Sequence, residues 1–343
     1  MTAVQREVSP DTASRDVPGP EIRAGYRRFA GFRTRVLEVG PRRPADGDPP
    51  RRRGRRRPRQ PVRPATPPRL VLLHGYCDSA DTWLPVLERL AAEGHSAVAV
   101  DLPGFGHADP LRPGPMLPQL DAFTAAVVRE QAVLGDVVLA GNSLGGTMSL
   151  RAAQSPRLPV SGVVSIAAPG LVDSWLVRIV GRYPLPLRLY SALPLPVPGF
   201  VVRTVARQVV PRLLYADARS AADEHVRRFT ELFPDYRSTT TRLEQARQLV
   251  GELAEAYQPD RIGVPLLVVA CGKDRLVSAA SGRQLHSLVP HSRLLVREDW
   301  GHCPQLDDPA AIAELLTYFA AGARFRTATG TTGAGDSSAE AAG

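Results

Sequence analysis

Short apolar runs recur along the middle of the chain, at Leu70–Leu73, Ala97–Val100, Val137–Ala140, Gly162–Ile166, Leu266–Val269 and Leu294–Val296. Each is continuous rather than alternating, which is the pattern of a strand covered on both faces, as in a parallel sheet. Helical stretches separate most of the runs. The pattern therefore predicts an α/β fold: a mostly parallel sheet flanked by helices. Asp308-Pro309 ahead of the apolar stripe Ala310–Phe319 predicts a capped final helix with proline at its first position. Before the first run, Arg33–Val39 fits an antiparallel edge strand.

The alternation stops between Pro169 and Pro259, about ninety residues, which is too long for an ordinary crossover. This predicts a helical cap over 169–259, inserted between two parts of the core at 21–168 and 260–324. Leu243, Ala246, Val250, Leu253 and Tyr257 form a helical apolar stripe in its second half. From Ser174 to Ala216 there are six Arg and no Asp or Glu, with Pro184, Pro186, Pro194, Pro196 and Pro198 breaking up apolar residues. That composition suits a lid over an apolar pocket and equally suits apolar faces packed on the core.

At 343 residues, 43% apolar and 22% charged, the chain can bury a sizeable core. Its 33 Pro and 29 Gly exclude a coiled coil, and no run of about 20 apolar residues predicts a transmembrane segment. Residues 1–20 and 325–343 read as disordered tails. The net charge of +9 suggests nucleic acid, but residues 41–69 hold eleven Arg and two Asp, so that stretch alone supplies it and the remainder sums to zero. Only Lys273 is a lysine, so a coding bias toward Arg explains the basic count more simply than phosphate recognition. Segment 41–69 thus reads as a disordered Arg/Pro-rich insertion, with no specific nucleic-acid partner and weak contact with anionic surfaces through 51–59 as its functional alternative. Cys77, Cys271 and Cys303 fit neither a disulfide framework nor a zinc pattern. No apolar stretch of a signal peptide lies in the first twenty residues, which makes cytoplasmic residence the expectation. Nothing in the sequence sets an oligomeric state.

Gly141-Asn142-Ser143-Leu144-Gly145 matches Gly-x-Ser-x-Gly, a weak signal by itself. Here an apolar strand precedes it and a helix-forming stretch follows, the context of a nucleophile elbow. A serine hydroxyl needs a base to take its proton and a carboxylate to orient that base. Asp274 and His302, each just past an apolar run, occupy the carboxyl ends where such a sheet places its site. Asp299 and Asp307 are rivals to Asp274, which is favoured because it ends a strand.

With these motifs the chain resembles the α/β-hydrolase-fold superfamily from about residue 22 to 322. His74-Gly75-Tyr76 resembles its oxyanion-loop motif, Asp101-Leu102-Pro103-Gly104-Phe105-Gly106-His107 the loop after the next strand, and Gly301-His302 its histidine loop. The resemblance implies a catalytic triad of Ser143 as nucleophile, Asp274 as orienter and His302 as base, with an oxyanion hole formed by the N–H groups of Tyr76 and Leu144 and an elbow shaped by Gly141, Asn142 and Gly145. It implies a serine hydrolase acting through an acyl-enzyme, with small to medium hydrophobic esters as expected substrates. Carbon–carbon bond hydrolysis of aromatic ring-cleavage products is a second reading, and a non-catalytic binding protein on the same scaffold a third. His74 is expected to bond structurally beneath the oxyanion turn, and Cys77 and Cys303 to pack. No cofactor and no metal are expected, because neither a metal-ligand cluster nor a Gly-rich phosphate loop is present.

Overall fold

The computed structural model describes residues 21–40, 68–172 and 198–329, with side chains through residue 323. The expected N-terminal tail, the Arg/Pro-rich stretch 41–67 with its proposed anionic-surface contact at 51–59, the cap residues 173–197 and residues 330–343 lie outside the described residues.

Eight strands form one sheet: β1 (Arg23–Phe29), β2 (Phe32–Val39), β3 (Arg69–Leu73), β4 (Ala97–Val100), β5 (Val137–Asn142), β6 (Val160–Ile166), β7 (Leu266–Cys271) and β8 (Arg293–Arg297). Their order is β1-β2-β4-β3-β5-β6-β7-β8. β2 is antiparallel to both of its neighbours, and the pairs from β4 through β8 are parallel. The fold is that of the expected α/β hydrolase.

The continuous apolar runs have a simple cause. Along β3, Val71 and Leu73 point into one core while Leu70 and Leu72 point into the other; along β5, Val137 and Leu139 alternate in the same way with Val138 and Ala140. One core is completed by α2 (Met116–Ala132) and α3 (Leu144–Ala153), the other by α1 (Leu84–Ala92) and the final helix described below. Period-two side chains that are buried on both faces leave no polar position in the strand.

Two boundaries differ from the sequence reading. Arg33–Val39 is antiparallel but is not the edge, because β1 lies outside it. The hairpin turn is Ala30-Gly31, both at positive φ (49° and 85°), with Phe29 paired to Phe32. This two-residue primed turn matches the twist of the strands. Arg69, assigned above to the disordered insertion, instead opens β3: it is buried, and its guanidinium donates to Glu38 at 2.7 Å and to Gln131 Oε1 at 2.9 Å.

Between β6 and β7 the described part of the insertion contains three α-helices: α4 (Gly199–Leu214), α5 (Asp223–Glu231) and α6 (Tyr236–Leu253). Leu249 and Leu253 of α6 are buried, and Tyr257, expected to continue its stripe, lies past its end. Glu252 accepts the N–H groups of Met116 and Leu117 at 2.8 and 2.7 Å, placing a carboxylate on the positive end of α2 and fastening the insertion to the core. The chain then continues through β7, α7 (Ala279–Leu288), β8 and the short α8 (Pro304–Asp307) to α9 (Pro309–Thr329). Asp308 Oδ1 accepts the Ala311 N–H at 3.0 Å, the predicted cap. This helix extends to Thr329, into the stretch expected as a tail. Among the described residues, no helix is long and apolar enough to cross a membrane.

Candidate active site

β5 ends at Asn142 and α3 begins at Leu144, so Ser143 alone makes the reversal. Its backbone sits at φ 53°, ψ −117°, a region that L residues avoid and that functional sites retain when their surroundings enforce it. The Ser143 N–H donates to the Ile166 carbonyl at 2.8 Å, which holds the turn to β6. The flanking glycines are required by contact. A Cβ on Gly141 would lie 2.1 Å from the Gly145 backbone, and one on Gly145 would lie 2.1 Å from the Leu73 carbonyl oxygen. Gly145→Ala is therefore expected to cost at least about 3 kcal/mol, because backbone cannot rotate away as a side chain can. Urea unfolding would test this, and a midpoint matching wild type would mean that α3 shifts freely.

His302 and Asp274 come together. His302 Nδ1 lies 2.8 Å from Asp274 Oδ2, with side-chain exposures of 6% and 0%. Asp274 Oδ1 accepts the N–H groups of Leu276 and Val277 at 2.7 and 2.8 Å, so both of its oxygens are committed. The rivals do other work. Asp299 lies in solvent and pairs with Arg297. Asp307 accepts the N–H groups of Gly301 at 2.8 Å and Ala216 at 3.1 Å, bracing the histidine loop against the insertion; burial pushes its carboxyl upward, against these hydrogen bonds.

The loops carrying acid and base are joined at their bases, where Gly272 N–H donates to Arg297 O and Lys273 N–H to Trp300 O. The sequence reading missed the link from this pair to the serine. Asn142 Nδ2 donates to the His302 carbonyl at 2.7 Å, and Asn142 Oδ1 accepts from Gln305 Nε2 at 3.4 Å, which also reaches Thr82 Oγ1 at 3.0 Å. Asn142 thus ties the histidine loop to the residue before Ser143. Its place in the elbow motif was a signal, but Gln305 had none.

On the other side, Gly75 packs against Ser143, where a Cβ on Gly75 would meet the serine Cβ at 3.3 Å. His74 bonds as expected: Nε2 accepts the Leu102 N–H at 2.8 Å, which leaves Nδ1 to donate to the Gly75 carbonyl at 2.8 Å. Buried Asp101 accepts N–H groups from Ala80 and His107 and the Arg35 guanidinium, joining the loops after β3 and β4. Leu144, the first residue of α3, has an N–H with no partner inside the helix, and the Tyr76 N–H has none among the described residues. Leu144 follows Ser143 in the chain, and Tyr76 follows Gly75, which packs against it.

Burial pushes the Cys77 thiol up to about 11, opposed by Arg242, and Cys303 well above its ordinary range. Both are thiols at neutral pH, which suits packing. Among the described residues, no group of three or more His, Cys, Asp or Glu is arranged to hold a metal ion.

Comparison with known proteins supports the fold. An esterase of Mycobacterium tuberculosis, Rv0045c, is 28% identical over 260 residues, 73% of this chain and 81% of the relative. Among solved structures, a bacterial membrane phospholipase A superposes with a TM-score of 0.65 at 20% identity, covering 88% of this chain and 87% of that one. A meta-cleavage product hydrolase from Pseudomonas fluorescens superposes at 0.62 and 17% identity, covering 89% and 98%. At such identities the superpositions speak for the fold alone. The family model described as "Alpha/beta hydrolase family" matches residues 70–315, which include the serine turn, the paired acid and base, and the insertion: the chain belongs to the alpha/beta hydrolase family.

Proposed function

We propose that this protein is a serine hydrolase that cleaves carboxylic esters of small to medium hydrophobic acyl groups through an acyl-enzyme. The observation that carries the reading is the buried Asp274–His302 pair at 2.8 Å, fastened through Asn142 to the strained turn at Ser143. Asp274 accepts from Nδ1 and so fixes the tautomer in which Nε2 is free to act as base. His302 takes the Ser143 hydroxyl proton as Oγ attacks the ester carbonyl. The carbonyl oxygen becomes an oxyanion, which the Tyr76 and Leu144 N–H groups stabilise. Collapse expels the alcohol, which receives the proton from His302. Water then repeats the sequence: His302 takes its proton, the hydroxide adds to the acyl carbon, and the acid leaves as the proton returns to Ser143. The inserted helices α4, α5 and α6 act as a cap that contributes to the acyl pocket, and the esterase relative favours ester over other acyl chemistry.

A series of p-nitrophenyl esters from acetate to palmitate tests this, together with labelling by a fluorophosphonate. Turnover is expected to peak at one chain length, with the label on Ser143. Labelling without turnover of any ester would move the reading to carbon–carbon bond hydrolysis, and absence of both would leave a non-catalytic binding protein.

A further inference from the structure

The insertion grips the oxyanion loop directly. The Tyr76 hydroxyl donates to the Arg242 carbonyl on α6, and Arg242 Nη1 lies 3.8 Å from Cys77 Sγ. On α5, Arg228 Nη2 lies 3.4 Å from Asp78 Oδ1, which also accepts the Ser79 N–H at 2.8 Å. The Asp78 side chain is 3% exposed. A carboxylate held that far from water needs a cation, and Arg228 is the guanidinium that faces it. Burial pushes the Asp78 carboxyl up and Arg228 is the strongest influence in the other direction.

Between Tyr76 and Asp78, Cys77 sits at φ 53°. A non-glycine residue persists there only when its neighbours are fixed. The N–H expected to face the substrate oxyanion is therefore one end of a strained turn, and Asp78 is the other.

We propose that Arg228 is a positioning residue for the oxyanion site: paired with Asp78, it locks the Tyr76–Asp78 turn and so aims the Tyr76 N–H at the carbonyl held by Ser143. This rests on the acyl-enzyme reading above. Loss of the cation leaves an unpaired buried carboxylate, which must take up a proton or turn toward water, and either change releases the turn that aims the Tyr76 N–H.

The test uses the full chain, the best ester of the series and a boronic acid as transition-state analogue. Folded Arg228→Met is expected to lower kcat by about 10–100-fold, a fraction of the loss when an oxyanion donor is removed, with KM nearly unchanged. The boronic acid should weaken in parallel, since it reads the same donors. Arg228→Lys should recover most of the loss, and Arg228→Met with Asp78→Asn should be faster than Arg228→Met alone, because no charge is stranded. Arg227→Met, on the solvent side of the same helix, should match wild type. A folded Arg228→Met enzyme with wild-type kcat, or a kcat loss that the boronic acid does not share, overturns the proposal. If that variant does not fold, Asp78→Asn, which removes the same ion pair, carries the comparison: a several-fold loss of kcat shared by the boronic acid is expected, and wild-type kcat overturns the proposal. A wild-type protein that neither turns over an ester nor takes the fluorophosphonate label removes the acyl-enzyme reading and this inference together, an outcome distinct from an active wild type with indifferent Arg228 variants.

Discussion

Ser143→Ala and Ser143→Gly are each expected to lower ester turnover by roughly 10⁶-fold, the loss seen when a serine hydrolase is left without its nucleophile. Their stabilities should diverge. Alanine keeps the Cβ that strains the turn at φ 53°, so Ser143→Ala gains nothing. Glycine adopts that backbone without penalty: relief of about 1–3 kcal/mol is offset by about 0.5–1 kcal/mol of unfolded-chain entropy, for a net gain of about 1 kcal/mol. In a protein of 343 residues that is about 1–2 °C in Tm. The check is thermal unfolding of the three proteins beside their rates on one ester. A glycine variant that melts with the alanine variant would mean the turn stores no strain, and either variant retaining a hundredth of the wild-type rate would deny Ser143 its role.

Asp274→Asn is expected to lower kcat by about 10⁴-fold with little change in stability or KM. The cause is the proton on His302. Two backbone N–H groups, from Leu276 and Val277, point at Oδ1, so an asparagine must keep its oxygen there and set its amide nitrogen where Oδ2 now accepts from Nδ1. An amide N–H facing Nδ1 demands that Nδ1 be unprotonated, which moves the imidazole proton to Nε2 and removes the base from the serine side. Steady-state kinetics at neutral pH tests this. A loss below tenfold would show that His302 keeps its tautomer without the carboxylate.

The parallel strands were legible because burial on both faces writes an unbroken apolar run, and the elbow because a serine between glycines stood between a strand and a helix. The Asp274–His302 pairing was legible from position, each residue lying one loop past a strand. β1 was not, because its sequence, RAGYRRF, is mostly exposed. It is a strand by virtue of pairing with β2, with a buried Phe29 and an Arg27 that reaches Glu38 at 2.5 Å and Glu130 at 2.9 Å. Its turn also lacks the Asn-Gly that marks most primed hairpins. Arg69 differs from the sequence reading because it closes an Arg-rich stretch, while its partners Glu38 on β2 and Gln131 on α2 lie far from it in the sequence. The stitch from Asn142 to His302 joins residues 160 positions apart, and contacts of that kind are set by topology, which no local pattern encodes.

The chain leaves the sheet after β6 and returns at β7, and these two strands are neighbours. The inserted segment is joined covalently to the sheet at two adjacent points, while Ser143 lies before the exit and Asp274 and His302 after the return. In evolutionary terms the insertion is an interchangeable head: a different segment spliced between the same strands would present a new surface to substrates without moving Ser143, Asp274 or His302, and closing a longer excursion costs little. The exchange carries an electrostatic condition. Asp78 stays behind in the core, so a transplanted head must bring its own cation to meet it, or arrive with a core in which that carboxylate is already gone.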